Sequence, residues 1–270
     1  MIRHSDYWVR KRRIFRENIR HNHPVWDFVR YERIAEFINQ MDGKFVLDVG
    51  CGIGLLDFLF MNKIVVGVDI SSENVRQAKQ IERMLKPKEN GGHSFVAADL
   101  HFLPFKRKFD IIICSEVLEH LSDDRRALGA ILSFLREDGF LLVTVPNLLR
   151  VNFWSFILRR GQKFMHHDHI REYCVNDVQN LVRLPSLKVD KTTGTYFDFP
   201  VFYVLYIPTY ISKNIRLPTK LRFLIGGAFC QLYTTFWAML GEFFWYRSHS
   251  ILVVLRKLEQ KRARRGVDHD

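Results

Sequence analysis

Short apolar runs alternate with amphipathic stretches between residues 45 and 145. The runs are rich in Val, Ile and Phe, which is typical of short strands buried on both faces. We therefore predict five strands, at 45–49, 64–69, 94–97, 110–114 and 140–145. The stretches between them predict three helices, at 55–61, 72–85 and 122–136. Strands that alternate with helices indicate an α/β fold with a parallel sheet and right-handed crossovers.

The rest of the chain follows other patterns. Residues 7–40 have apolar positions at roughly helical spacing, and 137–139 predict a tight turn into the next strand. Residues 147–185 predict mostly helix with a His-rich loop. Two further strands are predicted at 187–197 and 250–258.

This pattern divides the chain into three parts. We predict a basic helical segment at 1–40, a main domain at 41–197 plus 248–260, and an aromatic-rich insertion at 198–247. A chain of 270 residues with 47% hydrophobic residues can bury a sizeable core.

Charge and cysteine content narrow the cellular setting. The net charge of +12 is concentrated at the two ends, which predicts attraction to nucleic acid or to an anionic membrane surface, unless these residues are simply solvated. The N-terminus lacks the apolar stretch of a secretory signal. A cytosolic protein with reduced thiols is expected, and the four cysteines are Cys51, Cys114, Cys174 and Cys230.

A glycine-rich turn follows the first predicted strand. Gly50, Gly52 and Gly54 allow sharp turns and close approach of a ligand, and a helix beginning near Gly54 would point its N-terminus at that ligand. A dinucleotide turn would have its third glycine at position 55, where this chain has Leu55. The leading Asp48 suits a ligand that carries an ammonium group and a carboxylate rather than a pyrophosphate.

Two further acids follow predicted strands. Asp69 ends the second strand, where a carboxylate can accept hydrogen bonds from ribose hydroxyls. Asp99 follows the third strand, where it can accept the exocyclic amine of adenine. We expect Ile70 and Leu100 to flank the ring.

The chain resembles the class I S-adenosylmethionine-dependent methyltransferases, in the group that includes quinone-biosynthesis O-methyltransferases. Five segments carry this resemblance in order over about 100 residues: VLDVGCGIG (46–54), VVGVDIS (65–71), FVAADLHFLPF (95–105), FDIIICSEVLEHL (109–121) and LREDGFLLVTVPN (135–147). The resemblance implies a Rossmann-like seven-stranded sheet with helices on both faces and an antiparallel last strand. It also implies S-adenosylmethionine as cofactor and S-adenosylhomocysteine as product.

The resemblance assigns site residues as well. It places Cys51 in the cofactor turn and puts Ser115 and Glu116 near the cofactor. Quinone-pathway relatives use a matching E-x-x-E-H set for a divalent metal, which corresponds to Glu116, Glu119 and His120. Magnesium binding, orientation of an acceptor hydroxyl, a catalytic base and a purely structural role remain alternatives, and we assign no residue to a metal.

A second ionisable group lies in the predicted His-rich loop. The group contains His166, His167, Asp168, His169, Arg171 and Tyr173. A histidine is a suitable base at neutral pH, and we choose His169 as the acceptor-facing one. The catalytic prediction is therefore His169, Glu119 and His120. A surface loop with Asp168 as a helix cap is the alternative.

The aromatic insertion contains nineteen consecutive uncharged residues at 223–241. This length approaches a membrane span, but a single crossing would separate the last strand from its sheet. We predict instead that the insertion lies on one leaflet, with Trp and Tyr at the interface and Lys and Arg near headgroups. A buried cap, a homodimer interface or a pocket for an apolar acceptor are the alternatives.

These observations predict a methyltransferase, with O-methylation of a lipid-like or lipid-linked acceptor at the inner face of the membrane. A soluble natural-product or sugar methyltransferase is the first alternative. An RNA methyltransferase is the second, although no RNA-binding module is recognisable and we do not expect nucleic acid as partner. An inactive scaffold with the same fold is the third.

Overall fold

The computed structural model describes Ile14 and residues 25–85, 91–150, 169–195 and 248–259. Four helices lie in these ranges: α1 (Val25–Gln40), α2 (Ser72–Leu85), α3 (Asp124–Ser133) and α4 (Val175–Leu181). The strands are β1 (Phe45–Val49), β2 (Ile64–Asp69), β3 (Gly92–Ala97), β4 (Phe109–Ser115), β5 (Leu135–Pro146), β6 (Leu187–Gly194) and β7 (Ser250–Lys257).

The seven strands form one sheet in the order β3-β2-β1-β4-β5-β7-β6. Strands β1 to β5 all run parallel to one another, whereas β7 runs antiparallel to both of its neighbours, β5 and β6. The predicted Rossmann-like sheet with an antiparallel last strand is therefore confirmed. All five parallel strands end at one edge, where ligands bind in sheets of this kind.

Hydrophobic side chains cover both faces of the sheet. One core packs α1 and α2 against residues such as Val46 and Ile111. The other packs α3 and α4 against their neighbours in the strands, Leu47 and Ile112. Successive strand residues point to opposite faces, so β1, β2, β4, β5 and β7 contribute to both cores. This double burial explains why the predicted strands read as continuous apolar runs.

The predicted helix at 55–61 is wrong. The structure has a 3-10 turn at Asp57–Leu59 instead, and Gly54 has a φ of 74°. The run from Leu55 to Phe60 is buried on all sides, so it has no polar face to direct a helix. The helix N-terminus that was expected near Gly54 is therefore not formed.

Other boundaries differ by a few residues. The helix predicted at 122–136 is α3, and the strand predicted at 187–197 is β6. The turn predicted at 137–139 is a bulge within β5, where Asp138 has a φ of 60°. Residues 1–24 apart from Ile14, and the insertion at 198–247, lie outside the described residues.

The two ends of the chain segment that carries the insertion are neighbours. The Thr195 backbone N–H donates to the Ser250 carbonyl at 3.1 Å, and Asn147 donates from its backbone and side chain to His249 and Ser248. Within the described ranges, no helix has both the length and the apolar character to cross a bilayer.

Candidate cofactor and acceptor site

The glycine turn leaves β1 and is held by β2. The backbone N–H groups of Gly50 and Cys51 donate to the Val68 carbonyl at 2.7 and 3.0 Å. Gly50, Gly52 and Gly54 have φ values of 76°, 55° and 74°, a region that favours glycine. The predicted turn is therefore present in the backbone.

The three glycines face different surroundings. A Cβ on Gly50 would overlap Val117, and one on Gly54 would lie 2.6 Å from Phe95. A Cβ on Gly52 would meet nothing within 4 Å. Gly52 therefore borders the open space above the turn, and the other two glycines close the turn against the protein.

Asp69 joins the turn to the end of β2. Its carboxylate accepts hydrogen bonds from Gly52 N–H at 2.8 Å, Ser71 N–H at 2.9 Å and the Asn74 amide at 3.2 Å. A carboxylate has about four acceptor positions. Three are occupied by the protein, so Asp69 is fixed in place with one position left for a ligand hydroxyl.

Exposed apolar side chains stand on the segments that follow β2 and β3. The Ala98 N–H donates to the Asp69 carbonyl at 3.0 Å, which brings the ends of β2 and β3 together. Asp99 caps the following 3-10 turn by accepting from His101 N–H at 2.8 Å. Ile70 is 79% exposed and Phe102 is 75% exposed, whereas Leu100 is partly buried. The prediction had not included Phe102, which can cover the flat face of a purine.

Two buried carboxyl groups lie beneath the turn. Asp48 is 2% exposed, and Asp57 on the 3-10 turn is fully buried. Burial raises the pKa of Asp48 to about 7, with Asp57 and Arg30 opposing part of the rise and Asp69 adding to it. Burial and the neighbouring Asp48 raise the pKa of Asp57 well above its usual range. The prediction had not included Asp57, although an acid inside the run LLDFLF is a visible signal.

Ser115 ends β4, Glu116 follows it, and both join a polar network. The Ser115 hydroxyl lies 2.9 Å from that of Thr144, which donates to the Glu116 carboxylate at 3.0 Å. Arg30 of α1 pairs with the same carboxylate at 3.3 Å, and also with Asp27. Burial raises the pKa of Glu116, while Arg30 acts against this rise. No sequence signal had indicated Arg30, because its partner lies 86 positions later in the chain.

The three predicted catalytic residues meet in space. One ligand atom each from Glu119, His120 and His169 lies within 4.8 Å of the others. The two imidazole centroids are 4.9 Å apart in an edge-on arrangement. The Glu119 side chain is fully buried, and this burial raises its pKa to about 9, with Glu116 adding to the rise. The group can hold a proton or a divalent metal ion.

Backbone and side-chain contacts hold His169 in this position. The next residue, Ile170, donates its N–H to the Glu119 carbonyl at 2.9 Å. Arg171 pairs with Asp124 of α3 at 2.6 Å, and Tyr173 donates to the same carboxylate at 2.8 Å. Arg171 and Tyr173 therefore anchor the loop. His166, His167 and Asp168, predicted in the same group, lie outside the described residues.

The site and the sheet together define a class of protein. They describe a Rossmann-like domain with a glycine turn and the acids Asp48 and Asp69 at the carboxyl edge of the sheet, and with a second group of ionisable residues at Glu119, His120 and His169. Residues 40–188 match the family described as a methyltransferase domain. The chain belongs to this methyltransferase-domain family.

Curated relatives support the same family. The chain is 32% identical over 163 residues to a ubiquinone biosynthesis O-methyltransferase of Bradyrhizobium sp. (strain ORS 278), covering 55% of this chain and 63% of the relative. It is 33% identical over 128 residues to the protein of that name from Haemophilus ducreyi (strain 35000HP / ATCC 700724), covering 44% and 52%. The chain thus spans about half to two thirds of the length of these relatives.

Solved structures share the fold. A small RNA methyltransferase superposes with a TM-score of 0.58 at 19% identity, covering 86% of this chain and 25% of that one. Magnesium protoporphyrin IX methyltransferase from Synechocystis PCC 6803, with bound S-adenosylhomocysteine, gives a TM-score of 0.55 at 16% identity and covers 94% and 95%.

Proposed function

We propose that this protein is an S-adenosylmethionine-dependent O-methyltransferase that acts on a hydroxyl of an apolar small molecule, such as a prenylated quinone precursor. The observation that carries this proposal is the Glu119, His120 and His169 group. Glu119 and His120 follow β4 by four and five residues, and Val117 of the same segment lies against Gly50 of the glycine turn. The names of the curated relatives agree with O-methylation.

The cofactor supplies a methyl group on a cationic sulfonium, which is already a good leaving group. The protein therefore contributes by holding the methyl donor in position for attack by the acceptor. The open space above Gly52 suits the methionine portion of the donor. Asp48 offers a negative charge for its ammonium group, and Arg30 offers a positive charge for its carboxylate. The fixed carboxylate of Asp69 suits a ribose hydroxyl. Ile70 and Phe102 suit the two faces of adenine, with Asp99 as acceptor for its amine.

His169 is the proposed base. A hydroxyl attacks the methyl carbon more readily when its proton leaves during the reaction, and an imidazole accepts this proton at neutral pH. His120 lies beside it, and Glu119 is a neutral acid at pH 7. A neutral Glu119 can donate a hydrogen bond, which would orient the acceptor oxygen or an imidazole.

The same three residues fit a divalent cation. Two imidazoles and one carboxylate suit iron, zinc or manganese better than magnesium, which prefers oxygen ligands. A cation there would act as a Lewis acid on the acceptor hydroxyl. Loss of turnover in chelator with recovery on adding one metal would favour this version over a metal-free base.

Exposed apolar side chains on segments next to the group support an apolar acceptor. Leu148 and Leu149, which follow β5, are 39% and 46% exposed, and the Leu148 N–H donates to the Tyr173 carbonyl in the loop that contains His169. Ile170 beside His169 is 59% exposed. Exposed apolar residues beside a polar site are typical of a ligand-binding surface. We further propose that the protein works as a peripheral protein at the inner face of the membrane, through residues 198–247 and the basic ends.

Methyl transfer from a labelled donor tests this function. Purified protein is incubated with labelled S-adenosylmethionine and with lipid or aqueous extracts of the source cell. Label should enter the lipid fraction, as a base-stable ether. His169→Ala should lower turnover by about 10²-fold or more while leaving S-adenosylhomocysteine affinity unchanged. Lys79→Ala, on the exposed face of α2, is the matched control and should retain full turnover.

Transfer into the aqueous fraction alone would contradict the apolar acceptor. An unchanged rate in His169→Ala would contradict its role as base. Failure of the intact protein to bind S-adenosylhomocysteine would contradict the methyltransferase assignment itself.

A further inference from the structure

The buried acid Asp57 has no role in the cofactor contacts proposed above. Its side chain is fully buried at the start of the 3-10 turn, between buried Leu56 and Phe58. Neither carboxylate oxygen receives a hydrogen bond from an N–H or O–H donor among the residues that the structure describes. Among the described residues, the carboxyl group of Asp48 neighbours it and can share a proton with it in a side-chain hydrogen bond.

Two carboxyl groups in such contact cannot both be ionised in a buried setting. An unpaired buried carboxylate is very unfavourable, and two adjacent ones repel each other, so the pair retains a proton. When one of two contacting carboxyls is protonated, its O–H can donate to the other. The apolar surroundings of Asp57 favour its neutral form, whereas Asp48 is the last residue but one of β1, two positions before the first glycine of the turn.

We propose that Asp57 is a positioning residue for the methyl donor, because as a neutral acid it donates a hydrogen bond to Asp48 and holds that carboxylate for the donor's ammonium group. This inference rests on the proposed function. If Asp57 has this role, the affinity for the donor depends on pH, because Asp48 must lose its proton before it can pair with the ammonium group.

Other ionisable groups surround the Asp48 and Asp57 pair. They face Asp48 or Asp57 from α1, the glycine turn, β2, β3 and β4. These groups are Arg30, Tyr31, Cys51, Asp69, His93 and Cys114. Burial holds the pKa values of Tyr31 and of both thiols above their usual range, so these three groups stay neutral near pH 7. Arg30 stays charged at any pH used here.

The pKa of Asp48, about 7, sets the expected pH range. Below this value Asp48 holds a proton, and binding of the ammonium must expel it. Affinity for S-adenosylhomocysteine, which keeps the ammonium, should therefore fall by up to about tenfold for each pH unit below 7. Affinity should level off above pH 7.

Two substitutions separate this role from a structural one. Asp57→Asn keeps a neutral donor of the same size, so it should retain the affinity and the pH midpoint of the native protein. Asp57→Leu removes the donor while filling a similar volume. Its Asp48 should ionise less readily, so the pH midpoint of affinity should rise by about one unit and affinity at pH 7 should fall about fivefold.

Calorimetric titration with S-adenosylhomocysteine from about pH 5.5 to about pH 8.5 tests the proposal. Native protein and both variants are compared with 5′-methylthioadenosine, a probe that lacks the ammonium and should bind with no pH dependence in this range. Equal pH midpoints for the leucine and asparagine variants would overturn the proposal. A pH dependence of 5′-methylthioadenosine equal to that of S-adenosylhomocysteine would also overturn it.

The native protein alone provides a second measurement if Asp57→Leu does not fold. Titrations at about pH 6 in two buffers with different ionisation enthalpies report the protons released on binding. The proposal predicts release of nearly one proton, and release of none would overturn it. Absence of binding at every pH would instead contradict the methyl-donor site, so the two failures are distinguishable.

Discussion

At the scale of single residues, the glycine turn combines two different requirements. Gly50 and Gly54 are closed in by Val117 and Phe95, so a side chain there would disturb the packing of the turn. Gly52 has the same type of backbone conformation, with a φ of 55°, but nothing lies within 4 Å of a Cβ at this position. Substitution at Gly52 therefore separates the effect on ligand space from the effect on packing.

Gly52→Ala should weaken cofactor binding more than it weakens folding. A left-handed backbone costs alanine about 1–2 kcal/mol, whereas the added methyl group projects into the proposed donor space. We expect S-adenosylhomocysteine affinity to fall about tenfold or more, measured by calorimetry, with a loss of about 1–2 kcal/mol in chemical unfolding. Undiminished affinity would show that the donor lies elsewhere.

Glu119 should make stability depend on pH. The unfolded chain loses this proton near the ordinary pKa of 4.5, whereas the folded chain keeps it up to about 9. Between these values the folded state binds the extra proton, so the free energy of unfolding falls as pH rises, by at most about 1.4 kcal/mol per pH unit for this group.

Glu119→Gln should remove this part of the slope. Thermal unfolding of the native protein and the variant is compared from about pH 5 to about pH 9, with chelator present so that no metal ion is bound. The variant should gain stability relative to the native protein as pH rises. Parallel curves for the two proteins would show that Glu119 is ionised when folded.

Some site residues could be predicted from the sequence, and others could not. Asp48 and Asp69 lie at the carboxyl ends of recognisable strands, so local pattern and chemistry were sufficient. Arg30 and Thr144 act through partners that are distant in sequence, and only the folded chain brings them to Glu116. Asp57 lies inside an apolar run, a signal that the wrong helix prediction at 55–61 obscured.

At the scale of elements, α1 is joined to the site by an ion pair. The Arg30 and Glu116 side chains are 12% and 14% exposed and lie 3.3 Å apart. Glu116 has a φ of 56°, unusual for a residue with a side chain, and its hydrogen bond with Thr144 helps to hold it there. The pair therefore fixes the end of β4 against the first described helix.

Arg30→Ala should destabilise the fold and weaken donor binding together. Removal of the cation leaves Glu116 buried without its charged partner, which costs about 1–3 kcal/mol in unfolding free energy. S-adenosylhomocysteine affinity should also fall, because Arg30 is the proposed partner of the donor carboxylate. Arg76→Ala is the matched control, since it breaks an exposed pair with Glu73 on α2 and should leave both measurements unchanged. Equal effects of the two substitutions would contradict the proposal that Arg30 supports both folding stability and donor binding.

Helices and strands were predicted correctly from the sequence where their pattern of buried and exposed residues is regular. The strands β1 and β2 match their predicted limits because both faces are buried, so polar residues mark their ends. Helix α2 matches because it has one buried and one exposed face. The stretch at 55–61 was misassigned because it is buried all round, and the limits of β5 were misassigned because its bulge follows from pairing with β4.

At the scale of the whole molecule, our proposal assigns the donor and the acceptor to different parts of the chain. The proposed donor site is built on β1 to β4, whereas the proposed acceptor site draws on the loop that contains His169 and on residues 198–247. The charge of +12 adds a long-range attraction to anionic surfaces. Vesicle binding can separate the contributions of the insertion and of the charge.

Flotation with vesicles that contain phosphatidylserine tests the proposed membrane role. The full chain should float, and a chain in which a short Gly-Ser turn replaces 198–247 should float much less at moderate salt, where contacts of the basic ends are screened. Retained S-adenosylhomocysteine binding shows that the shortened chain is folded. Equal flotation of this folded chain would contradict a role for the insertion in membrane binding.

The hydrogen bond between Thr195 and Ser250 has an evolutionary consequence. The 52 residues between positions 195 and 248 leave and re-enter the sheet at a single β6–β7 junction. Changes in the length of a connection whose ends are already held together cost little free energy. Mutation and recombination can therefore replace this segment as a unit while the sheet is inherited unchanged. If the segment binds the acceptor as proposed, descendants of one methyltransferase can acquire new acceptors without rebuilding the sheet.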